Sequence, residues 1–162
     1  MKELIRRIQH EWKAAKDAAQ ARCMEHGQYE MAQKLGACEM FRGDESLEEL
    51  IALMFTSQGI EFLTTNNFPS LDTFRLFKKY HPEQFGVYID SGKISLSEAR
   101  KVFLIGDSAA ELKYRETAGN RVFLMHGAQA SVIASGYSVV KVEKDGLSNV
   151  SYIVQDNAKI LW

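Results

Sequence analysis

Lys101-Val102-Phe103-Leu104-Ile105-Gly106-Asp107-Ser108-Ala109-Ala110-Glu111-Leu112 returns twenty residues later as Arg121-Val122-Phe123-Leu124-Met125-His126-Gly127-Ala128-Gln129-Ala130-Ser131-Val132, and this pair of stretches decides the fold. Four positions are identical and most of the rest are alike in character. Each copy reads as a strand rich in β-branched and aromatic residues, a corner in which Gly, Asp or Asn takes the unusual dihedrals, and a second strand. A looser copy of the corner and following strand stands at Asp156-Asn157-Ala158-Lys159-Ile160, with Gly136-Tyr137-Ser138-Val139 between. One such unit cannot bury its apolar face alone, so the repeat predicts stacking.

Two architectures satisfy that demand. The preferred one is a short right-handed β-solenoid of about three coils, each coil laying two short strands around a corner. The second is a small antiparallel barrel or sandwich built from the same strands. Small residues such as Ala110, Ala130 and Ala158 suit the narrow part of a coiled interior. A hexapeptide solenoid is excluded, because stepping by six from Leu104 meets Ala110, then Glu116, then Val122. Gly86-Val87-Tyr88-Ile89-Asp90 and Lys93-Ile94-Ser95-Leu96 read as opening strands ahead of the repeat.

Upstream the period changes to helical. Leu4, Ile5, Ile8, Trp12, Ala15, Ala19 and Cys23 recur at three and four residues, which sets them on one helical face. Gly27 stands where that helix needs a left-handed cap, and residues 29–35 resume the spacing with Met31, Ala32 and Leu35. Gly27, Tyr29, Ala32 and Leu35 resemble one tetratricopeptide helix, but no second copy follows at that period. Ser46 and Glu49 form a capping box that opens a third, largely apolar helix. Thr56-Ser57-Gln58-Gly59 is read as interrupting it, with at most a short turn at residues 60–63. Asn66-Asn67-Phe68-Pro69 is a break, and Ser70 caps a last helix over residues 71–80 with Phe74 and Phe77 inward. The prediction is therefore an α+β chain, with a helical domain at residues 1–85 and a β-repeat domain at residues 86–162.

The repeat half, with its Gly-Ala-x-Ala corner at residues 127–130 and Asp156-Asn157-Ala158-Lys159-Ile160-Leu161, resembles uncharacterised proteins of gut Bacteroidetes and their mobile elements. The resemblance extends to Phe68-Pro69-Ser70-Leu71-Asp72-Thr73-Phe74-Arg75 and Gln84-Phe85-Gly86-Val87-Tyr88-Ile89-Asp90. It implies an architecture and carries no activity.

Charge and motif content narrow the function classes. Twenty basic residues oppose twenty-one acidic ones, and neither half is basic, so the general attraction that holds non-specific nucleic-acid binders is missing. The first residues run straight into an amphipathic pattern without a secretory apolar core, and no apolar run reaches membrane-span length. The expectation is a cytoplasmic protein with no membrane association, in which Cys23 and Cys38 are reduced thiols. Cys23, His26, Cys38 and His10 lack the two tight pairs of a structural zinc site, so no metal is expected. His26 is read instead as a solvated helix cap. No nucleophile elbow, P-loop or dinucleotide fingerprint is present, and the reading is a non-enzymatic chain without cofactor or catalytic residues. Asp90, Asp107, Glu111 and Asp156 fall in turns or at outward positions, where corner or solvent duty explains them.

Two functional readings follow. The first is a protein-interaction or assembly module, with a protein partner or a second copy, including a homodimer, meeting the exposed β surface and Trp162 as a candidate contact. The second is a DNA-binding regulator of a mobile element, with residues 54–80 as a helix-turn-helix-like unit. In it Ser70, Asp72, Thr73 and Arg75 would reach bases while Lys78 and Lys79 hold phosphate.

Overall fold

Apolar residues three and four apart build the first element of the computed structural model, which describes residues 1–162. Helix α1 (Lys2–Glu25) buries Leu4, Ile5, Ile8, Trp12 and Ala19. It ends in a Schellman motif: the amide of Gly27, at φ 72°, donates to the Met24 carbonyl and the amide of Gln28 to the Cys23 carbonyl. Helix α2 (Tyr29–Ala37) buries only Ala32, and Met31, expected inward, is exposed.

Helix α3 (Leu47–Met54) opens on the expected capping box, with the Glu49 amide donating to Ser46 Oγ at 3.2 Å and the Ser46 amide to Glu49 Oε2 at 2.7 Å. Beyond it the expectation fails. Thr56 does not merely interrupt a helix; its hydroxyl accepts from the Gly59 amide and caps a further helix, α4 (Ser57–Asn66). Asn67 then takes a left-handed conformation that ends α4. Helix α5 (Leu71–Arg75) is half the length predicted, and the chain tightens into 3-10 turns at Lys78–Tyr80 and Pro82–Phe85. The chain divides into two units, Met1–Leu76 and Phe77–Trp162.

The second unit is a β-solenoid. Strands β1 (Val87–Ile89), β3 (Lys101–Ile105), β5 (Gly119–Met125), β7 (Val139–Lys144) and β9 (Lys159–Leu161) form one sheet in that order. Strands β2 (Gly92–Ser97), β4 (Ser108–Tyr114), β6 (Gln129–Ala134) and β8 (Asn149–Val154) form the other. Every strand pairs in parallel with the strand one coil away, which rules out the antiparallel barrel. Lys101 pairs with Arg121, Ala110 with Ala130 and Val140 with Ile160, so each coil from Lys101 onward takes 20 residues.

The turn count is about four, with β9 starting a fifth, where three had been expected. The coil not counted is the first, whose strands were expected only as opening strands ahead of the repeat and pair at an offset of 16: Val87 with Phe103, Gly92 with Ser108. Its second corner, residues 98–100, lacks counterparts of residues 115–118. A coil four residues short escapes a search at period 20. The copy seen at Asp156-Asn157-Ala158 is also half a coil out of phase: Ala130 pairs with Val150, while Ala158 belongs with the corner near Ser138. Each coil has two corners and each needs small residues, so the same signature recurs every half turn.

Inward columns fill the space between the sheets. Val102, Val122 and Val142 stack in one, Leu104 and Leu124 in another, Leu112 and Val132 in the facing sheet, all buried. Tyr114 fills the interior beside the shortened corner, and its hydroxyl donates to the Ala99 carbonyl at 3.0 Å. Burial, joined by the charge of Glu98, pushes that hydroxyl well above the ordinary tyrosine range, although Arg100 pulls the other way.

Corner carboxylates tie one coil to the next. Asp90 accepts from the Asp107 amide at 2.9 Å, Glu98 from the Arg115 amide at 2.7 Å, Asp145 from the His126 amide at 2.7 Å, and Asp156 from the Gly136 amide at 3.0 Å. Corner backbone turns away from the ladder and leaves such N–H groups without strand partners, and the carboxylates supply them with acceptors. Of the acids singled out in the sequence, Asp90 and Asp156 have this corner duty.

Candidate functional site

The polar group on and after α5 was the most suggestive feature of the sequence; the fold buries only Thr73 of it and leaves Ser70, Asp72, Arg75, Lys78 and Lys79 exposed. Glu11 of α1 accepts from the Ser70 amide at 2.9 Å, from Ser70 Oγ at 3.0 Å, and from Thr73 Oγ1. Ser70 Oγ also takes the Thr73 amide as the α5 cap. Thr73 is 0% exposed. Burial alone would raise the Glu11 carboxyl, but the bonds from Thr73, Ser70 and Arg7 outweigh it and hold the group below its ordinary range.

Asp72 and Arg75 pair with each other at 3.3 Å on the surface. Lys78 and Lys79 belong to the other unit, where Lys78 Nζ donates to the Asp90 carbonyl at 3.5 Å and Lys79 lies 5.1 Å from the Tyr80 ring centroid. A recognition helix needs polar side chains free to reach a groove over several turns. Here α5 has five residues, and Ser70 and Thr73 are spent on fastening it to Glu11.

The other candidates are quickly placed. Cys23 is half-buried on α1, His26 caps its end, and Cys38 is exposed after α2. No cluster of three or more His, Cys, Asp or Glu is arranged to hold a metal ion, and no helix is long and apolar enough to cross a membrane. An open depression of ≈ 450 Å³ lies among Glu39, Arg42, Glu45, Glu49, Leu53 and Thr56. Its polar groups serve the loop itself: Glu45 accepts the Arg42 and Gly43 amides, and Glu49 completes the α3 cap. Burial of Glu45 is outweighed by those amides and by the Arg42 charge, so its carboxyl also lies below the ordinary range.

What stands out is the end of the solenoid. Strand β8 pairs with β6 and β9 with β7, and neither has a strand on its other side. The inward columns therefore run out onto a bare face. Tyr152 continues the column of Leu112 and Val132 yet is 52% exposed; Val154, partner of buried Ala134, is 40% exposed. Trp162 stands twenty positions beyond Val142 of the valine column. Its ring meets Tyr152 from the opposite sheet at 5.7 Å between centroids, an incomplete plug that leaves the indole 61% exposed. Sequence reasoning had nominated Trp162 and missed Tyr152 and Val154, which only the 20-residue register identifies as core positions left uncovered.

The backbone is uncovered as well. Asn149 and Gln155 donate to the Ala128 and Ala134 carbonyls of the preceding coil. Alternation along a strand then turns the N–H and C=O groups of Val150, Tyr152 and Val154 toward the open side. Exposed edges ordinarily carry charge, proline or a bulge that discourages pairing. From Asn149 to Val154 there is none of these.

Compared with protein-family models, with curated proteins and with solved structures, the chain finds no match. The functional reading therefore rests on its own geometry.

Proposed function

We propose that this protein is an interaction or assembly module whose contact surface is the uncovered end of the β-solenoid. The observation that carries the reading is the coincidence, at β8 and β9, of unpaired strand edges with Tyr152, Val154 and Trp162 from the interior columns. A strand edge supplies directional backbone hydrogen bonds, and bare core side chains supply apolar area; β-strand addition uses both. Large aromatics near the centre of a patch are also the residues that dominate contact energies.

Site-specific photocrosslinking tests the reading. A photoreactive phenylalanine analogue at position 152 should yield adducts in extracts of cells that make the protein, whereas the same group at exposed Lys93, at the opposite end of the stack, should not. Equal labelling from both positions, or none from 152, would count against the proposal. The DNA-regulator reading gains no support from the short, Glu11-bound α5.

A further inference from the structure

Building on that reading, we infer that the occupant of the open end is the same end of a second copy, joined about a two-fold axis so that β8 runs antiparallel to β8. The edge is self-complementary. With the register centred on Tyr152, that residue faces its own copy and Val150 faces the second copy's Val154, and side chains in each pair lie on the same face. These are the residues whose N–H and C=O groups turn outward, so each pair exchanges two backbone hydrogen bonds. The inward columns of the two copies then meet, and the exposed Tyr152, Val154 and Trp162 become the middle of one longer core.

Charge permits this contact. The final coil, residues 141–160, carries Lys141, Lys144 and Lys159 against Glu143, Asp145 and Asp156, and β8 itself carries none. Two such ends meet without net repulsion, and pairing β9 antiparallel about Ile160 sets Lys159 opposite Leu161 and not opposite another lysine.

Head-to-tail stacking is disfavoured by the other end. There β2 offers Lys93 at its edge, and the first coil is shortened to an offset of 16, so its corner does not match a 20-residue coil. Two-fold closure gives a dimer, whereas head-to-tail addition would give an open filament.

Sedimentation equilibrium over a wide range of protein concentration tests the inference. The full chain should pass from one to two chain masses and stop there. Tyr152→Pro removes an N–H that no strand of its own chain uses, and should leave a folded monomer with at least a tenfold weaker association. Tyr152→Lys, which keeps the backbone donor but places charge at the centre of the edge, should do the same and guards against a proline-specific folding defect; circular dichroism checks both folds. A wild-type chain that stays monomeric, one that grows into filaments, or a dimer that survives both substitutions would overturn the inference. A monomer that still crosslinks through position 152 to a different protein would overturn the second copy as occupant while leaving the interaction reading intact.

Discussion

Asp145 offers the sharpest test of how the coils are held together. One oxygen, Oδ1, accepts the amides of Leu147 and Ser148 within its own corner at 3.1 and 2.9 Å. The other, Oδ2, accepts the His126 amide of the preceding coil at 2.7 Å. The residue is buried, so water cannot replace a lost acceptor. Asp145→Ala removes all three bonds, and at about 1.5–3 kcal/mol for a hydrogen bond to a charged group, with incomplete additivity, the cost should be about 3–5 kcal/mol. Asp145→Asn separates the two roles. Its amide oxygen can keep the Leu147 and Ser148 bonds, but its NH₂ then confronts the His126 N–H, so only the tie between coils is lost, at about 1.5–3 kcal/mol. Urea denaturation followed by circular dichroism gives the totals. Hydrogen exchange gives the location: protection should fall in the final coil and at His126 before it falls in β3 and β4, because repeats in a stack fray from the end. An Asp145→Ala loss within about 0.5 kcal/mol of zero, or an asparagine variant as damaged as the alanine one, would refute the assignment.

Gly86 sits at φ 81°, and a Cβ there would lie 2.4 Å from the Lys101 carbonyl oxygen, so Gly86→Ala should cost more than the roughly 1–2 kcal/mol of left-handed strain alone. Gly119→Ala, where a Cβ meets nothing within 4 Å, should be tolerated, and paired melting curves distinguish the two. Acid should weaken the helical unit: Glu11 and Glu45 are held below the ordinary carboxylate range, so the stability they give is complete above that range and is lost as pH falls through their lowered folded values. Glu11→Gln should flatten that acid limb in a pH series of denaturation midpoints and cost about 1–3 kcal/mol at neutral pH. Tyr114 behaves oppositely: its folded value lies above the ordinary 10.0, so its contribution is complete below pH 10 and fades only as alkali approaches the raised value. Ultraviolet titration of Tyr114→Phe against wild type should therefore show no missing tyrosine in the ordinary range, and the substitution should cost about 1 kcal/mol for the lost bond to Ala99.

The β half was legible because its information is local and periodic. Val102, Phe103, Leu104 and Ala110 recur unchanged at 122, 123, 124 and 130, and parallel stacking in register is the direct consequence. The two strands of the first coil were legible as opening strands, but not as a copy of the repeat, for an equally physical reason: the corner at residues 98–100 is trimmed, and Tyr114 with its bond to Ala99 lies beside the shortened turn. In the helical half, caps written in adjacent residues could be read, as at Gly27 and Ser46. Thr56-Ser57-Gln58-Gly59 was read as an interruption because such small and polar residues end helices as readily as they start them; the amide of Gly59 bonding the Thr56 hydroxyl decided the matter. The bonds that Ser70 and Thr73 make could not be read from the sequence, because their partner, Glu11, is 59 residues distant from Ser70. Trp162 was visible as a terminal aromatic, but the exposure of Tyr152 and Val154 needs the register of every coil beneath them.

Residue-resolved amide exchange along β8, measured across a dilution series, bears most directly on the proposal that the open end is where this protein meets its copy. Asn149, Ser151 and Ile153 should be protected at every concentration, because their side of the strand bonds β6. Val150, Tyr152 and Val154 should exchange freely when dilute, giving an alternating pattern along the strand, and should gain protection as concentration rises, so that edge pairing erases the alternation. Alternate amides that exchange at one unchanging rate from the most dilute to the most concentrated sample would contradict the account.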